Sequence, residues 1–193
     1  HCVIEMSPQE VPGTGITFED KIKSGSIPRE FIPAVKQGVV GAAKNGVLAG
    51  YPVTDVKVVL IDGSFHDVDS SELAFKMAGS IAFQDGMKKA NPVLLEPIMD
   101  IEVVVPEEFM GQIIGDLSSR RAKIIALGQR LNLRTIRANV PLSEVFNYAT
   151  VTRSLTQGRA SYTMEPSFYS EVPAHVADKV VSGSTNANAR KTF

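Results

Sequence analysis

Between residues 100 and 165 the sequence reads strand, helix, strand, strand, helix, strand, and that order restricts the fold more than any other feature. Ile101, Val103 and Val105 recur at every second position and mark one face of a strand over 100–105. Pro106 follows, suited to the first position of a helix because its missing N–H would be unpaired there anyway. Glu107 and Glu108 come next, where the helix dipole favours acids, and Phe109, Ile113 and Leu117 form a row at four-residue spacing. Segments 123–127 and 133–140 read as strands. Leu142, Val145, Phe146 and Ala149 mark a second helix, and 160–165 a last strand. The order βαββαβ is that of the ferredoxin-like split unit.

Pro97 is the expected boundary before this domain, so the sequence divides into 1–97, 98–171 and 172–193. In the first part, Val3, Ile4 and Met6 suggest a strand ended by Ser7-Pro8, and 16–22 alternates as a second strand. With Pro12, Gly13, Thr14 and Gly15 between them, the pair is expected to form a long hairpin with an irregular connection. Phe31, Val35 and Val39, widened by Ile32, Ala42 and Ala43, predict a helix after Pro28 that ends near Gly46. A β-branched strand follows over 53–61. The loop 62–67 then leads to a second helix, with Asp69 and Glu72 as its expected capping box. Leu73, Met77 and Ile81 form its expected row, with Ala74, Ala78 and Ala82 beside it. Lys88 and Lys89 suit its C-terminal end, and Asn91-Pro92 stops it. The small, polar stretch from about Val172 predicts a flexible C-terminal tail.

Several kinds of chemistry are absent. The net charge is −1, without the basic excess of a general nucleic-acid binder. It is unevenly divided: residues 1–98 hold 9 Lys and Arg against 12 Asp and Glu, and residues 99–193 hold 11 against 9. That split permits local RNA contacts and does not demand them. Cys2 is the only cysteine, so no disulfide within the chain and no cysteine-based zinc site can form, which fits a reducing cytoplasm. No apolar run approaches the ~20 residues of a membrane span. The chain opens at His1 without Met, directly in an apolar strand-like stretch, and is expected to be a fragment.

No G-x-x-x-x-G-K-[ST] phosphate cradle occurs. Gly13-Thr14-Gly15 begins like a dinucleotide fingerprint but lacks the third Gly and leads into a strand. Asp67, Asp69 and Glu72 lack the Gly and the distant Glu of a calcium loop. Ser64, His66 and Asp67 are triad residue types without a G-x-S-x-G elbow. No catalytic and no metal site is expected in this chain. His66 stands out only as a polar aromatic in a loop between a strand and a helix, a placement where function concentrates.

Longer stretches say more. GSFHDVDSSELAFKMAGSIAFQDGMKKANPVLLEPIMDIEVVVPEEFMGQIIGDLSSRR, from Gly63 to Arg121, resembles the junction of domains IV and V of bacterial-type elongation factor G. VPLSEVFNYATVTRSLTQGRASYTMEPSFYSEVP resembles the end of domain V. IPREFIPAVKQGV and LAGYPVTDVKV resemble earlier parts of domain IV, so the resemblance runs over about 1–175.

The resemblance implies an α+β architecture, a ribosomal-protein-like β-α-β domain IV followed by the ferredoxin-like domain V. It implies a translational GTPase that moves tRNA and mRNA through the ribosome, with GTP and Mg held by an N-terminal GTPase domain outside this chain. It implies a cytoplasmic protein that meets no membrane. Its implied partners are the ribosomal A site on the small subunit, tRNA–mRNA, large-subunit rRNA, the stalk base and its own GTPase domain. The expected contact residues are Pro12, Gly13, Thr14 and Gly15 in one tip loop and Gly63, Ser64, Phe65, His66 and Asp67 in another. Arg120 and Arg121 are RNA-facing candidates in domain V, with a favourable charge at a helix C-terminus as their other reading. Two departures, the segment KIIALGQRLNLR and Ile16 where an aromatic is common, leave open a paralogue acting in ribosome recycling or ribosome protection. A stand-alone RNA-binding module also stays open.

Overall fold

A computed structural model describes residues 1–23 and 25–189, with side chains described up to 183. It forms two compact units, His1–Pro92 with Ala174–Phe193, and Val93–Pro173. The division falls before Pro97 because Leu95 already pairs in the sheet of the second unit.

The first unit holds β1 (Cys2–Pro8), β2 (Ile16–Asp20), α1 (Ile32–Asn45), β3 (Val56–Gly63) and α2 (Glu72–Lys89). The expected β1–β2 hairpin does not form. The strand order is β1-β3-β2, with β1 antiparallel and β2 parallel to β3. Alternation marks 3–6 and 16–22 as strands but carries no information about partners. The most apolar strand takes the centre, where Val58 and Leu60 are fully buried. Two parallel strands then need a crossover, which α1 supplies between β2 and β3.

Both helices pack on one face of this sheet. A Cβ on Gly38 would collide with the backbone carbonyl of Lys76, and one on Gly79 would lie 2.5 Å from Val35 O. The α1–α2 crossing is therefore a glycine-to-backbone contact. That contact decides which side of α2 faces inward. Phe75, Gly79, Phe83 and Met87 are buried, while the expected row is exposed, Leu73 at 66%, Met77 at 57% and Ile81 at 56%. Both rows are apolar at helical spacing, and only the row containing Gly79 lets the helices approach this closely.

The second unit holds β4 (Leu95–Pro106), α3 (Met110–Ser119), β5 (Lys123–Arg130), β6 (Leu133–Pro141), α4 (Tyr148–Leu155) and β7 (Ser161–Glu171). The sheet order β5-β6-β4-β7 is antiparallel throughout, as the ferredoxin-like unit requires. Ile101, Val103, Val105, Ile113, Leu117, Ile136 and Val140 close its core without measurable exposure. The second helix differs from expectation. Leu142–Glu144 is a single 3-10 turn, Phe146 is 69% exposed, and α4 begins at Tyr148, whose ring is buried instead.

The expected tail also differs. Ala174–Ala189 is helical, α5, and belongs to the first unit; residues 190–193 lie outside the described residues. Val176, Ala177, Val180 and Val181 are half-buried at helical spacing, a stripe hidden in a polar composition.

The crossing sets opposite signs for two similar changes on α1. Gly38→Ala should destabilise the first unit by about 1–3 kcal/mol through overpacking. Gly41→Ala, with open space around its Cβ, should stabilise it by up to about 1 kcal/mol. Urea unfolding midpoints read both, and equal shifts of the same sign would contradict the crossing.

Candidate nucleic-acid interface

The His66 loop is built from its ends inward. β3 ends at Gly63, where a Cβ would meet Ile27 and would lie 2.6 Å from His1 O, so only glycine lets the neighbouring backbone approach. Ser64 N–H donates to His1 O at 3.1 Å. The Phe65 ring turns inward. It stacks on Phe31 at 5.8 Å between centroids, and Phe31 stacks on Phe75 of α2 at 5.1 Å. Phe65 therefore anchors the loop through the ring face that meets Phe31.

The chain then closes on itself. His66 N–H donates to Ser70 Oγ at 3.0 Å, Ser70 N–H returns a bond to His66 O at 3.0 Å, and Asp69 N–H donates to the same oxygen at 3.2 Å. Ser71 caps α2, its hydroxyl accepting from Ala74 N–H at 3.1 Å. This corrects the expected Asp69–Glu72 capping box. Asp69 lies inside the closed turn, Ser71 has the extended backbone a cap needs, and Glu72 is already the first helical residue. His66, Asp67 and Val68 are exposed, Val68 at 94%. No described residue hydrogen-bonds the exposed imidazole, so its ring nitrogens are unpaired.

Pro12, Gly13, Thr14 and Gly15 lie elsewhere. Gly13 N–H and Gly15 N–H donate to Asp55 Oδ1 at 2.9 and 3.1 Å, and Val56 N–H donates to Gly15 O at 3.2 Å. This turn is clamped to the start of β3, whereas the His66 loop leaves its end. Eight strand residues put the two about 25 Å apart. The two expected tip loops therefore do not form one tip: they sit at opposite ends of the first unit's sheet.

Asp55 itself takes a left-handed backbone, φ 60°, that an aspartate tolerates better than most residues. The Gly13 N–H above all, with those of Gly15 and Thr14 and the Thr54 hydroxyl, holds its carboxyl below the usual aspartate range.

Arg120 and Arg121 are engaged within the second unit. Arg120 Nε bonds Asp116 Oδ2 at 2.8 Å, its Nη1 bonds Glu144 O at 2.5 Å, and its guanidinium lies 5.3 Å from the Tyr148 ring centroid. Arg121 binds both Glu96 oxygens, at 2.7 and 2.9 Å, and Glu144 Oε1 at 2.9 Å. It holds φ 59° just past α3, where Ala122 N–H closes back to Leu117 O. Glycine usually takes that position, and here the paired carboxylates offset the strain of an arginine. Both arginines thus take part in an ion-pair network of the second unit. Among the described residues no group of three or more His, Cys, Asp or Glu could hold a metal ion.

The family model "Elongation factor G, domain IV" matches residues 1–91, and "Elongation factor G C-terminus" matches 93–180. The chain belongs to the elongation factor G family. A crystal structure of a protein from Thermus thermophilus is 40% identical, with a TM-score of 0.83 over 96% of this chain, and the chain spans 27% of that protein. Elongation factor G domain IV is thus the unit that carries His66, and the ferredoxin-like unit is its C-terminal domain.

The groups that shape the domain IV loops were not singled out from the sequence. Ser70 and Ser71 carried a signal, two hydroxyls directly before an apolar helix. Asp55 carried one too, an acid directly before a β-branched strand.

The Asp55 clamp has a signed pH dependence. A carboxyl with a lowered folded pKa contributes stability that is complete above its unfolded value, about 3.9, and is lost as pH falls through the lower folded value. Asp55→Asn should remove this part of the acid sensitivity of domain IV. The check is the melting temperature from pH 6 to pH 2 for both proteins, and parallel curves would contradict the clamp.

Proposed function

We propose that this chain is the ribosome-binding part of a translational GTPase that promotes tRNA–mRNA translocation, with the His66 end of domain IV entering the decoding site of the small subunit. One observation carries the reading: an exposed imidazole with free nitrogens, held on a closed turn between a buried strand and a capped helix. The two family matches support the setting in protein synthesis. GTP and Mg belong to a GTPase domain of the longer protein, and large-subunit rRNA and the stalk base are partners of the C-terminal domain. The protein works in the cytoplasm; no described helix is long and apolar enough to cross a membrane.

The physical logic is differential binding. A factor shifts the ribosome between two states only through contacts that are stronger in one of them. A neutral imidazole stacks on a base or bonds a 2′-OH, and a protonated one also pairs with phosphate. Such a group, offered at a fixed place, stabilises the translocated RNA without bond-making chemistry.

The second reading, a paralogue in ribosome recycling or protection, is favoured by the segment 123–134. It departs from the Gly-rich connection usual in the family and forms a tight β5–β6 hairpin with Leu131 at φ 56°.

In the full-length factor, His66→Ala should slow translocation at least about tenfold, the loss of one or two good contacts, while ribosome-stimulated GTP hydrolysis stays within about twofold. An equal fall in both rates, in pre-steady-state assays, would sink the tip-contact reading.

A further inference from the structure

We propose that Ser70 is a positioning residue for His66: its hydroxyl fixes the backbone that presents the imidazole, and it contacts no RNA itself. The inference rests on the reading of His66 given above and adds to it the group through which that residue acts.

The geometry separates Ser70 from its neighbours. Ser71 caps the helix and bonds forward, to Ala74 N–H. Ser70 bonds backward, accepting the His66 N–H at 3.0 Å, while its own N–H returns to His66 O at 3.0 Å. Both backbone polar groups of His66 are therefore satisfied by one half-buried residue four positions on. On the other side, Phe65 is held by the Phe31–Phe75 stack. Pinned on both sides, His66 can move little except about its own side-chain torsions. Without the hydroxyl, its N–H would turn to water and the turn 66–70 would keep only its carbonyl bonds. The side chain would then sample more directions, and ordering it on RNA would cost binding free energy. No such cost arises at Ser71, whose loss weakens the helix start and leaves the His66 bonds in place.

The test is a double-mutant cycle in the full-length factor, reading single-round translocation and GTP hydrolysis. Ser70→Ala should slow translocation about two- to tenfold, the range of one hydrogen bond, with GTP hydrolysis unchanged. Ser70→Thr, which keeps the hydroxyl, should restore the rate. In a His66→Ala background, Ser70→Ala should have no further effect, because a group acting through His66 has nothing left to position. Slowing by the same factor in both backgrounds would overturn the proposal and make Ser70 merely structural. So would a full rate for Ser70→Ala alongside a slow His66→Ala. If His66→Ala itself translocates normally, the tip reading fails first and takes the positioning role with it.

Discussion

Burial of β3 at the centre of the first unit's sheet is the constraint on which the site depends. Val58 and Leu60 are sealed beneath α1 and α2, and each fully buried side chain of this kind contributes about 1.5–3 kcal/mol. With β1 bonded on one edge and β2 on the other, the strand has no freedom to shift register without turning its apolar face to water. Its two ends are thereby fixed points. One carries Asp55 and the clamped Gly13–Gly15 turn, the other Gly63 and the closed turn of His66. The glycine contacts between α1 and α2 let the helices sit close enough to seal that core and to bring Phe75 against Phe31, on which the Phe65 anchor stacks.

The same arrangement bears on how the loop could make a contact. A histidine on a flexible loop would spend its contact energy on being ordered. Here the ordering happens during folding, through short-range bonds between residues 66 and 70 and one ring stack. The second unit uses a comparable device for a structural end. Arg121 occupies a left-handed position that glycine normally fills, and Glu96 and Glu144 hold it there, tying the start of β4 to the end of α3.

What the sequence revealed follows a physical line. Local signals survived. The alternation of Ile101, Val103 and Val105, the Pro106 start and the Phe109–Ile113–Leu117 row place β4 and the following helix, and the βαββαβ order gives the sheet. Partner choice did not survive, because a period of two names a strand and not its neighbour; hence β1 and β2 read as a hairpin while both join β3. α2 is apolar on two sides, so periodicity alone could not prefer Phe75 and Phe83 over Leu73 and Met77. The placement of His66 was legible as a loop before a helix. Its bracing by Ser70 and Phe31 was not, and neither was the inward turn of Arg121, whose carboxylate partners lie 23 and 25 residues away.

The central claim is that the His66 end of domain IV, and not the Gly13–Gly15 end, reaches the decoding site. Directed hydroxyl-radical probing tests it most directly, with iron tethered to single cysteines in the full-length factor bound to the ribosome. Val68→Cys, beside His66 and almost fully exposed, and Thr14→Cys, at the opposite end, supply the two tethers, with the buried Cys2 replaced by alanine. The expected result is cleavage of decoding-site rRNA from position 68 and none there from position 14. Cleavage at that site from position 14 alone would contradict the assignment of the RNA-contacting end.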